Sequence, residues 1–274
     1  MTVPRRDPGQ PRRVALVTGA SSGIGEAFSE VLAAEGFDVV ISARRERRLE
    51  EIRARLGEKY GIRVEVIVED LEDAGAPGRL CAELEARGLK IDVLVNNAGY
   101  GVPGSYVANS WDVHSRFLQI MVVAVAELTH RLLPGMIERR YGRIINVASL
   151  AGLVPAPAGH TLYAAAKAFL IKFSEALSHE VRRHGVFVTA LCPGFTLSEF
   201  HDVTGTRASV NKLPRFMWLS SHDVARHGYD AVMAGKPIVI TGRVNAAIAT
   251  LVRILPQRVV IGVGRRIGRQ YRRE

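Results

Sequence analysis

The chain has 274 residues, 47% of them hydrophobic, and a formal net charge of +10. This composition can build one large core and excludes disorder over the whole length. The positive net charge suggests that the chain binds an anionic ligand or an anionic surface, or that the charge keeps the protein soluble. Cys81 and Cys192 lie in apolar periodic segments, so we expect free buried thiols and a reducing, cytoplasmic compartment. No uninterrupted run of about 18 apolar residues occurs, so we predict no membrane-spanning helix.

From Arg13 onward, short apolar runs alternate with segments of helical periodicity. The predicted strands are Val14–Val17, Asp38–Ser42, Arg63–Val68, Ile91–Val95, Arg143–Val147, Val186–Leu191 and Ile238–Ile240. The predicted helices are Ile24–Gly36, Glu46–Tyr60, Leu71–Arg87, Ser110–Arg140, Leu162–His184 and Ser221–Ala234, the last capped by Ser221. This alternation predicts an α/β fold with a single, doubly wound parallel sheet of about seven strands and helices on both faces.

Both ends of the chain are rich in arginine and differ from its middle. Residues 1–12 are predicted to form a flexible basic arm, and residues 13–245 a single domain. Residues 246–274 form a basic, apolar extension in which Pro256 breaks any single helix. Three alternatives stay open for the extension: it lies on an anionic membrane surface, docks a second subunit, or is a solvated end.

A glycine-rich turn, Thr18-Gly-Ala-Ser-Ser-Gly-Ile-Gly25, follows the first predicted strand. Gly19 allows a tight turn, while Gly23 and Gly25 leave room for a diphosphate to approach the backbone. The N-terminus of the next helix offers free N–H groups to phosphate, and Ser21 and Ser22 add hydroxyl donors. The alternative is a tight turn without a ligand.

Four motifs in this order resemble the short-chain dehydrogenase/reductase family. After the glycine turn come Asn96-Asn-Ala-Gly99, then Ser149 with Tyr163-x-x-x-Lys167, then Pro193-Gly194 with Thr196. The resemblance covers residues 14 to about 240. It implies a Rossmann-type fold, oxidoreductase activity on a small-molecule carbonyl or alcohol, and a homodimer or homotetramer.

The resemblance also implies the residues that contact a nicotinamide cofactor. It places Asp70 and Leu71 at the adenine ring, where Asp70 is also a plausible N-cap of the next helix. The implied cofactor contacts are Gly19, Ser21, Ser22, Gly23, Ile24, Gly25, Asp70, Leu71, Asn97, Ala98, Gly99, Tyr163, Lys167, Pro193, Gly194 and Thr196.

The end of the second predicted strand bears on which nicotinamide cofactor binds. A carboxylate there favours the ribose hydroxyls of NAD, whereas an arginine favours the 2′-phosphate of NADP. The segment reads Ile41-Ser-Ala-Arg-Arg45 and has no acid. We therefore expect NADP(H), with Arg44 as the first candidate for the phosphate and Arg45 as the second. The alternative is a solvated basic helix start.

The predicted catalytic residues are Ser149, Tyr163 and Lys167. Tyr163 and Lys167 are four residues apart in a predicted helix and therefore share one face. A nearby ammonium and an oxidised nicotinamide ring lower the pKa of a tyrosine from about 10, so Tyr163 can exchange a proton with the substrate oxygen. Ser149 can hold the same oxygen.

One residue departs from the family pattern. Family members usually carry an asparagine in the long helix, and Met121 occupies that position here. A thioether is a weak acceptor and a poor substitute for an amide in a proton relay. Met121 therefore supports an alternative function, a catalytically idle NADP-binding protein with a regulatory role or a membrane association.

Residues 195–220 correspond to the substrate loop of the family. The loop offers the apolar residues Phe195, Phe200, Val203, Leu213, Phe216, Met217 and Trp218. They predict an apolar substrate such as a lipid-like ketone, an acyl chain or a steroid, unless they only close the fold. The sequence shows neither the interleaved basic and aromatic residues of a nucleic-acid groove nor metal-ligand spacing among its eight histidines.

Overall fold

The computed structural model describes residues 12–156, 159, 161–197, 217–255, 258 and 262. Its strands are β1 (Val14–Thr18), β2 (Asp38–Ala43), β3 (Val64–Val68), β4 (Ile91–Asn96), β5 (Gly142–Val147), β6 (Val186–Cys192), β7 (Thr196–Leu197), β8 (Leu219–Ser220) and β9 (Ile238–Ile240). Its α-helices are α1 (Gly23–Ala34), α2 (Glu46–Tyr60), α3 (Ala76–Ala86), α4 (Trp111–Leu118), α5 (Ala124–Glu138), α6 (Thr161–Val181), α7 (Ser221–Met233) and α8 (Arg243–Ile254).

The main sheet has seven strands in the order β3-β2-β1-β4-β5-β6-β9, and every pairing in it is parallel. The order reverses between β1 and β4, so the carboxyl ends of these strands flank the crevice where doubly wound folds bind ligands. The predicted Rossmann-type sheet is confirmed. The short strands β7 and β8 pair with each other outside the main sheet.

Each face of the sheet is covered by helices, because its strands are apolar on both sides. One core lies under α1, α2 and α7, and the inner face predicted for α2 is confirmed: Leu49, Ile52 and Leu56 are buried. The other core lies under α3, α5 and α6 and contains Leu80 and Met121.

One predicted helix start and one predicted cap are wrong. Helix α3 begins at Ala76, after Gly75 and with Pro77 in its first turn, where proline is favoured, so Asp70 is not its N-cap. Asp70 instead accepts a hydrogen bond from the backbone N–H of Glu72 at 3.1 Å in a turn. Helix α7 is capped by Ser220 rather than Ser221, and the Ser220 hydroxyl accepts from the N–H of Asp223 at 3.0 Å.

The long predicted helix is interrupted by a π-helical turn at Gln119–Val123, which joins α4 to α5. The whole segment Trp111–Glu138 is long and apolar enough to cross a membrane by length and composition. Its buried residues pack in the core next to the sheet.

Helix α8 continues the domain past the predicted boundary at residue 245. Its buried residues are Asn245 and Ala249, while Leu251 and Ile254 are 55% and 74% exposed. The arm at residues 1–11, most of the substrate loop and most of the extension beyond 255 lie outside the described residues. Both thiols are free; Cys192 is buried as expected, and Cys81 is partly exposed.

Candidate active site

The glycine turn joins β1 to α1, and its backbone leaves no room for side chains at two glycines. Gly19 has φ +64°, and a Cβ on it would lie 2.8 Å from Cα of Ala98. A Cβ on Gly25 would lie 2.5 Å from Nδ2 of Asn97 and would clash with the carbonyl of Gly19. The turn is therefore a bare backbone cradle at the N-terminus of α1, which is the form that a dinucleotide diphosphate requires.

Thr18 and Asn97 fasten this cradle to the end of β4. The hydroxyl of Thr18 donates to the carbonyl of Val95 at 3.2 Å and accepts from the N–H groups of Asn97 and Ala98 at 3.0 and 3.2 Å. The side-chain amide of Asn97 donates to the carbonyls of Thr18 and Gly19 at 3.0 and 3.2 Å. The predicted contact residues of two separate motifs thus form one unit. Thr18, the hub, was not among the predicted site residues, although it opens the motif.

The two candidate arginines occupy different places. Arg45 donates from Nε and Nη2 to the hydroxyl and carbonyl of Ser21, both at 3.1 Å, so it braces the glycine turn. Arg44 is 58% exposed at its side chain and pairs with Glu72 at 2.8 Å and with Asp70 at 3.6 Å. Leu71 is buried next to them. Arg44 therefore carries an exposed, ion-paired guanidinium just after the end of β2.

The three predicted catalytic residues lie together at the carboxyl ends of β5 and β6. Tyr163 hydrogen-bonds Ser149, whose Oγ also accepts from the N–H of Ala151 at 3.1 Å. Lys167 lies one turn along α6, with Nζ 5.6 Å from the centre of the Tyr163 ring. Its Nζ donates to the carbonyl of Val147 at 2.7 Å. Gly152 lets the Ser149 turn sit on α6, because a Cβ there would lie 2.7 Å from the carbonyl carbon of Lys167.

Burial dominates the ionisation of this group. Burial raises the pKa of Tyr163 to about 12, against the hydrogen bond with Ser149, which acts to lower it. The net direction is therefore opposite to the predicted lowering, because in the chain alone burial outweighs the other influences on Tyr163. Burial lowers the pKa of Lys167 to about 8, and burial raises the pKa of Cys192 to about 12. The thiol of Cys192 is thus protonated at neutral pH and is no nucleophile.

The residues predicted to lie on the nicotinamide side, Pro193, Gly194 and Thr196, form one loop that contacts the Ser149 turn and α8. The carbonyl of Pro193 accepts from the N–H of Leu150 at 2.9 Å, which ties this loop to the Ser149 turn. A side chain on Gly194 would clash with the amide of Asn245. The hydroxyl of Thr196 is buried and donates to the carbonyl of Gly194 at 3.2 Å. Asn245 was not predicted, because α8 reaches the site only through the tertiary fold.

On the substrate side, Phe195 and Trp218 lie at the two ends of the predicted loop, with ring centroids 5.6 Å apart. Met217 is partly buried beside them. The other predicted apolar residues of the loop, Phe200, Val203, Leu213 and Phe216, lie outside the described residues. Within the described part of the chain, no group of three or more His, Cys, Asp or Glu residues is arranged to hold a metal ion.

A buried polar network beneath the site was not foreseen from the sequence. Nδ2 of Asn96 donates to Oδ1 of Asn146 at 2.8 Å and to the hydroxyl of Thr129 at 3.2 Å. Asn146 in turn donates to Oγ of Ser174 at 2.9 Å, on the same helix as Lys167. These four residues are at most 3% exposed. The spacing of these residues in the sequence does not predict the network, because they come from two strands and two helices.

Met121 lies in the π-helical turn and is 1% exposed. Its thioether sulfur fills the space in which a side chain on Gly99 would lie. Met121, which the sequence predicts to stand at the position of the family asparagine, therefore packs beneath the Asn97–Gly99 segment.

Comparisons with known proteins agree with this geometry. The family model for short chain dehydrogenases matches residues 13–208. The very-long-chain 3-oxoacyl-CoA reductase of Anas platyrhynchos is 36% identical over 196 residues, covering 69% of this chain and 62% of that protein. The chain thus spans less than two thirds of the length of that relative.

Two solved structures bear on the cofactor. A short-chain dehydrogenase from Sphingobium yanoikuyae in complex with NADPH matches with a TM-score of 0.78 and 27% identity, covering 89% of this chain and 96% of that one. A short-chain dehydrogenase/reductase from Burkholderia phymatum in complex with NAD matches with a TM-score of 0.78 and 26% identity, covering 93% and 95%. These likenesses support a nicotinamide cofactor without choosing between the two.

Proposed function

Since this chain belongs to the short-chain dehydrogenase/reductase family, we propose that it is an NADP(H)-dependent oxidoreductase that reduces the carbonyl of an apolar substrate. The observation that carries the proposal is the grouping of Ser149, Tyr163 and Lys167 beside the bare glycine cradle. The glycine turn has the close packing that a dinucleotide-binding turn requires, because Cβ atoms on Gly19 and Gly25 would clash with the Asn97–Ala98 segment and with the turn itself.

When bound, NADPH supplies the hydride that goes to the carbonyl carbon. The residues of the chain handle the oxygen and its proton. Ser149 and the Tyr163 hydroxyl hold the carbonyl oxygen by hydrogen bonds, and the Tyr163 hydroxyl gives it the proton that completes the alcohol. Lys167 stabilises the phenolate left on Tyr163, because an ammonium favours the charged form of a neighbouring acid.

The ionisation of Tyr163 supports the direction of reduction. Its pKa is raised to about 12 by burial, so the hydroxyl is fully protonated at neutral pH. A protonated tyrosine is ready to act as the acid that reduction needs, whereas oxidation needs the phenolate.

The preference for NADP(H) is proposed from Arg44 and from the lack of an acidic residue at the end of β2. The Arg44 guanidinium pairs with Glu72 but stays 58% exposed, so it is accessible to a phosphate. Arg44→Ala should raise the Kd of NADPH roughly 10- to 100-fold, because the charged hydrogen bond between Arg44 and the 2′-phosphate is lost. The Kd of NADH should stay unchanged, because NADH has no 2′-phosphate. Fluorescence titration with both cofactors measures this.

Arg47→Ala is the matched control for Arg44→Ala. Arg47 lies on the same helix start, is 95% exposed at its side chain and pairs with Glu51. Its replacement should leave both dissociation constants unchanged. Equal losses of NADPH and NADH affinity in Arg44→Ala would contradict the assignment of Arg44 to the 2′-phosphate.

An apolar, lipid-like substrate is supported by the Phe195–Trp218 pair and by the name of the oxoacyl-CoA reductase relative. The test is kcat/KM for NADPH-dependent reduction of straight-chain ketones of increasing length. We expect kcat/KM to rise about threefold to fourfold for each CH₂ that becomes buried, because burying one contributes about 0.8 kcal/mol. A flat series would contradict the apolar substrate.

A second candidate function rests on Met121, which lacks the polar group of the family asparagine. In that alternative the chain binds NADP without turnover and acts as a regulatory or membrane-associated protein.

We also propose that the protein is cytoplasmic and homo-oligomeric and has no nucleic-acid partners. The exposed side chains of Trp111, Val123 and Phe169 are available for a contact between subunits.

A further inference from the structure

The edge of the sheet opposite the active site carries a group of arginines that the proposed chemistry does not use. All pairings in the main sheet are parallel, so its strands begin at one edge, and the catalytic group lies at the other, where they end. Arginines stand at or just before the starts of β1, β5 and β6. They form the arginine patch, which consists of Arg13, Arg140, Arg143, Arg182 and Arg183.

Two aromatic rings join most of the patch into a row. The guanidinium carbons of Arg13 and Arg143 lie 3.7 and 4.3 Å from the centre of the Tyr141 ring. Those of Arg143 and Arg182 lie 4.3 and 5.3 Å from the centre of the Phe187 ring. Burial lowers the pKa of Arg143, and the charge of Arg13 acts in the same direction. The rings thus hold like charges close together without neutralising them.

Arg140 and Arg183 add two exposed cations beside this row. Nη2 of Arg140 donates to the carbonyl of Arg183 at 3.5 Å, and Nε of Arg183 donates to Nε2 of His184 at 3.1 Å. The carbonyl of Arg140 lies against Gly185, where a side chain would clash with it. The starts of β5 and β6 are therefore packed together, and both arginines belong to the same surface.

The positive charge of the patch is not balanced by neighbouring acids. Among the residues that the structure describes, no arginine of the patch forms an ion pair with a carboxylate. Asp38, which begins β2, pairs with Arg12 at 3.5 Å. Asp92 of β4 pairs with Arg139 at 3.4 Å. The acids at the starts of the neighbouring strands are thus engaged by arginines outside the patch.

Further basic residues flank the patch in the sequence and in the sheet. Residues 1–11 precede it in the sequence and carry Arg5 and Arg6 against a single acid, Asp7. Lys236 is exposed just before β9, the strand next to β6. An excess of positive charge therefore extends beyond the arginine patch itself.

The form of the patch favours an anionic surface over a small anion or a nucleic acid. A site for a small anion needs donors that converge on one point, whereas these arginines are spread over the starts of three strands. A single-stranded nucleic acid needs free aromatic faces for its bases, but the Tyr141 and Phe187 rings each already contact two guanidiniums. A membrane with anionic headgroups needs only several cations that face it together.

We propose that the arginine patch is a docking surface for membranes that contain anionic phospholipids, with its exposed guanidiniums at the headgroup phosphates. The inference does not rest on the proposed function, because the patch and the active site lie at opposite edges of the sheet. Docking by this edge leaves the glycine cradle on the side away from the membrane.

Cosedimentation of the full chain with vesicles tests the proposal. Vesicles of phosphatidylcholine alone are compared with vesicles of phosphatidylcholine and phosphatidylserine, at low and at high salt. We expect binding to the mixed vesicles only, and weaker binding at high salt because the attraction is screened. Arg140→Gln/Arg183→Gln should weaken this binding about 25-fold, since each arginine near an anionic membrane contributes roughly fivefold.

Arg47→Gln/Arg116→Gln is the matched control. It removes the same charge from α2 and α4, outside the patch, and should bind the mixed vesicles as the wild type does. Thermal melting checks that both double variants fold.

Three results would overturn the proposal. The first is a wild type that does not bind the mixed vesicles, or equal losses of binding in the two double variants. The second is unchanged binding in Arg140→Gln/Arg183→Gln, which would assign the membrane contact to another segment such as residues 246–274. The third is a preference of the wild type for single-stranded RNA over the mixed vesicles that is lost in Arg140→Gln/Arg183→Gln.

Discussion

Replacing Tyr163 by phenylalanine is expected to lower kcat for ketone reduction by about a hundredfold to ten-thousandfold, the range of a lost general acid. The hydroxyl is the group that protonates the carbonyl oxygen, and Ser149 alone cannot replace it because its own hydroxyl is a far weaker acid. The Kd of NADPH should change little, since the glycine cradle and Arg44 are untouched. Steady-state kinetics and fluorescence titration on the same preparation measure both quantities.

Tyr60→Phe is the control for this substitution. Tyr60 is the last residue of α2, and its hydroxyl bonds Glu30 of α1 at 3.1 Å rather than any residue of the catalytic group, so its loss should leave kcat unchanged. Loss of a general acid lowers the rate by more than about tenfold. A kcat of Tyr163→Phe within about tenfold of the wild type would therefore refute the acid role of Tyr163.

Replacing Lys167 by methionine is expected to lower the activity and to raise the stability of the folded chain. Activity should fall about a hundredfold or more, because the cation that stabilises the Tyr163 phenolate is lost. Stability at pH 7 should rise. Lys167 is 6% exposed and its burial lowers its pKa from 10.5 to about 8, which corresponds to a cost of about 3 kcal/mol in free energy of unfolding. The lost bond to Val147 offsets about 1 kcal/mol of the gain.

The pH dependence of stability carries the same signature. Between about pH 8 and 10.5 the unfolded chain binds a proton at Lys167 that the folded chain does not. The stability of the wild type should therefore rise between about pH 8 and 9, and this rise should be absent in Lys167→Met. Two groups whose pKa values are raised by burial act in the opposite sense at higher pH: Cys192 (from 9 to about 12) above about pH 9, and Tyr163 (from 10 to about 12) above about pH 10.

Lys172→Met is the matched control on the same helix, since Lys172 is 80% exposed at its side chain and pairs with Glu175. It should keep the pH dependence of the wild type. Urea unfolding at several pH values distinguishes the variants. A loss of stability at pH 7 in Lys167→Met, with the pH-dependent rise unchanged, would show that the buried ammonium has no such cost.

The parts of the fold that follow from local patterns were predictable. Strands β1 to β6 and β9 were found within one or two residues at each end, because continuous apolar runs between turns mark buried parallel strands. The start of α3 was missed, because Gly75 and Pro77 weaken a helical pattern whose beginning the sequence does not fix.

The candidate site divides in the same way. Its motif residues could be found because glycine positions and the Tyr163–Lys167 spacing are local features. The Asn96–Asn146–Ser174 chain and the contact of Gly194 with Asn245 depend on distant segments meeting, which spacing does not reveal. The direction of the Tyr163 pKa was missed for a related reason: burial outweighs the other influences, and burial is a property of the fold.

Met121 illustrates what a departure from a family pattern means physically. The sequence identifies only a missing amide, whereas the structure shows a thioether that fills the space beneath Gly99. Packing of the cofactor-side segment is thus retained at this position, and the polar function of an asparagine is not. Only a measurement of turnover separates an active reductase from an idle NADP-binding protein.

That measurement is the oxidation of NADPH by the purified full chain in the presence of apolar ketones, followed at the absorbance of the reduced nicotinamide and compared with NADH. We predict reduction that prefers NADPH and depends on Tyr163 and Lys167. Tight, Arg44-dependent binding of NADPH without hydride transfer to any ketone would contradict it.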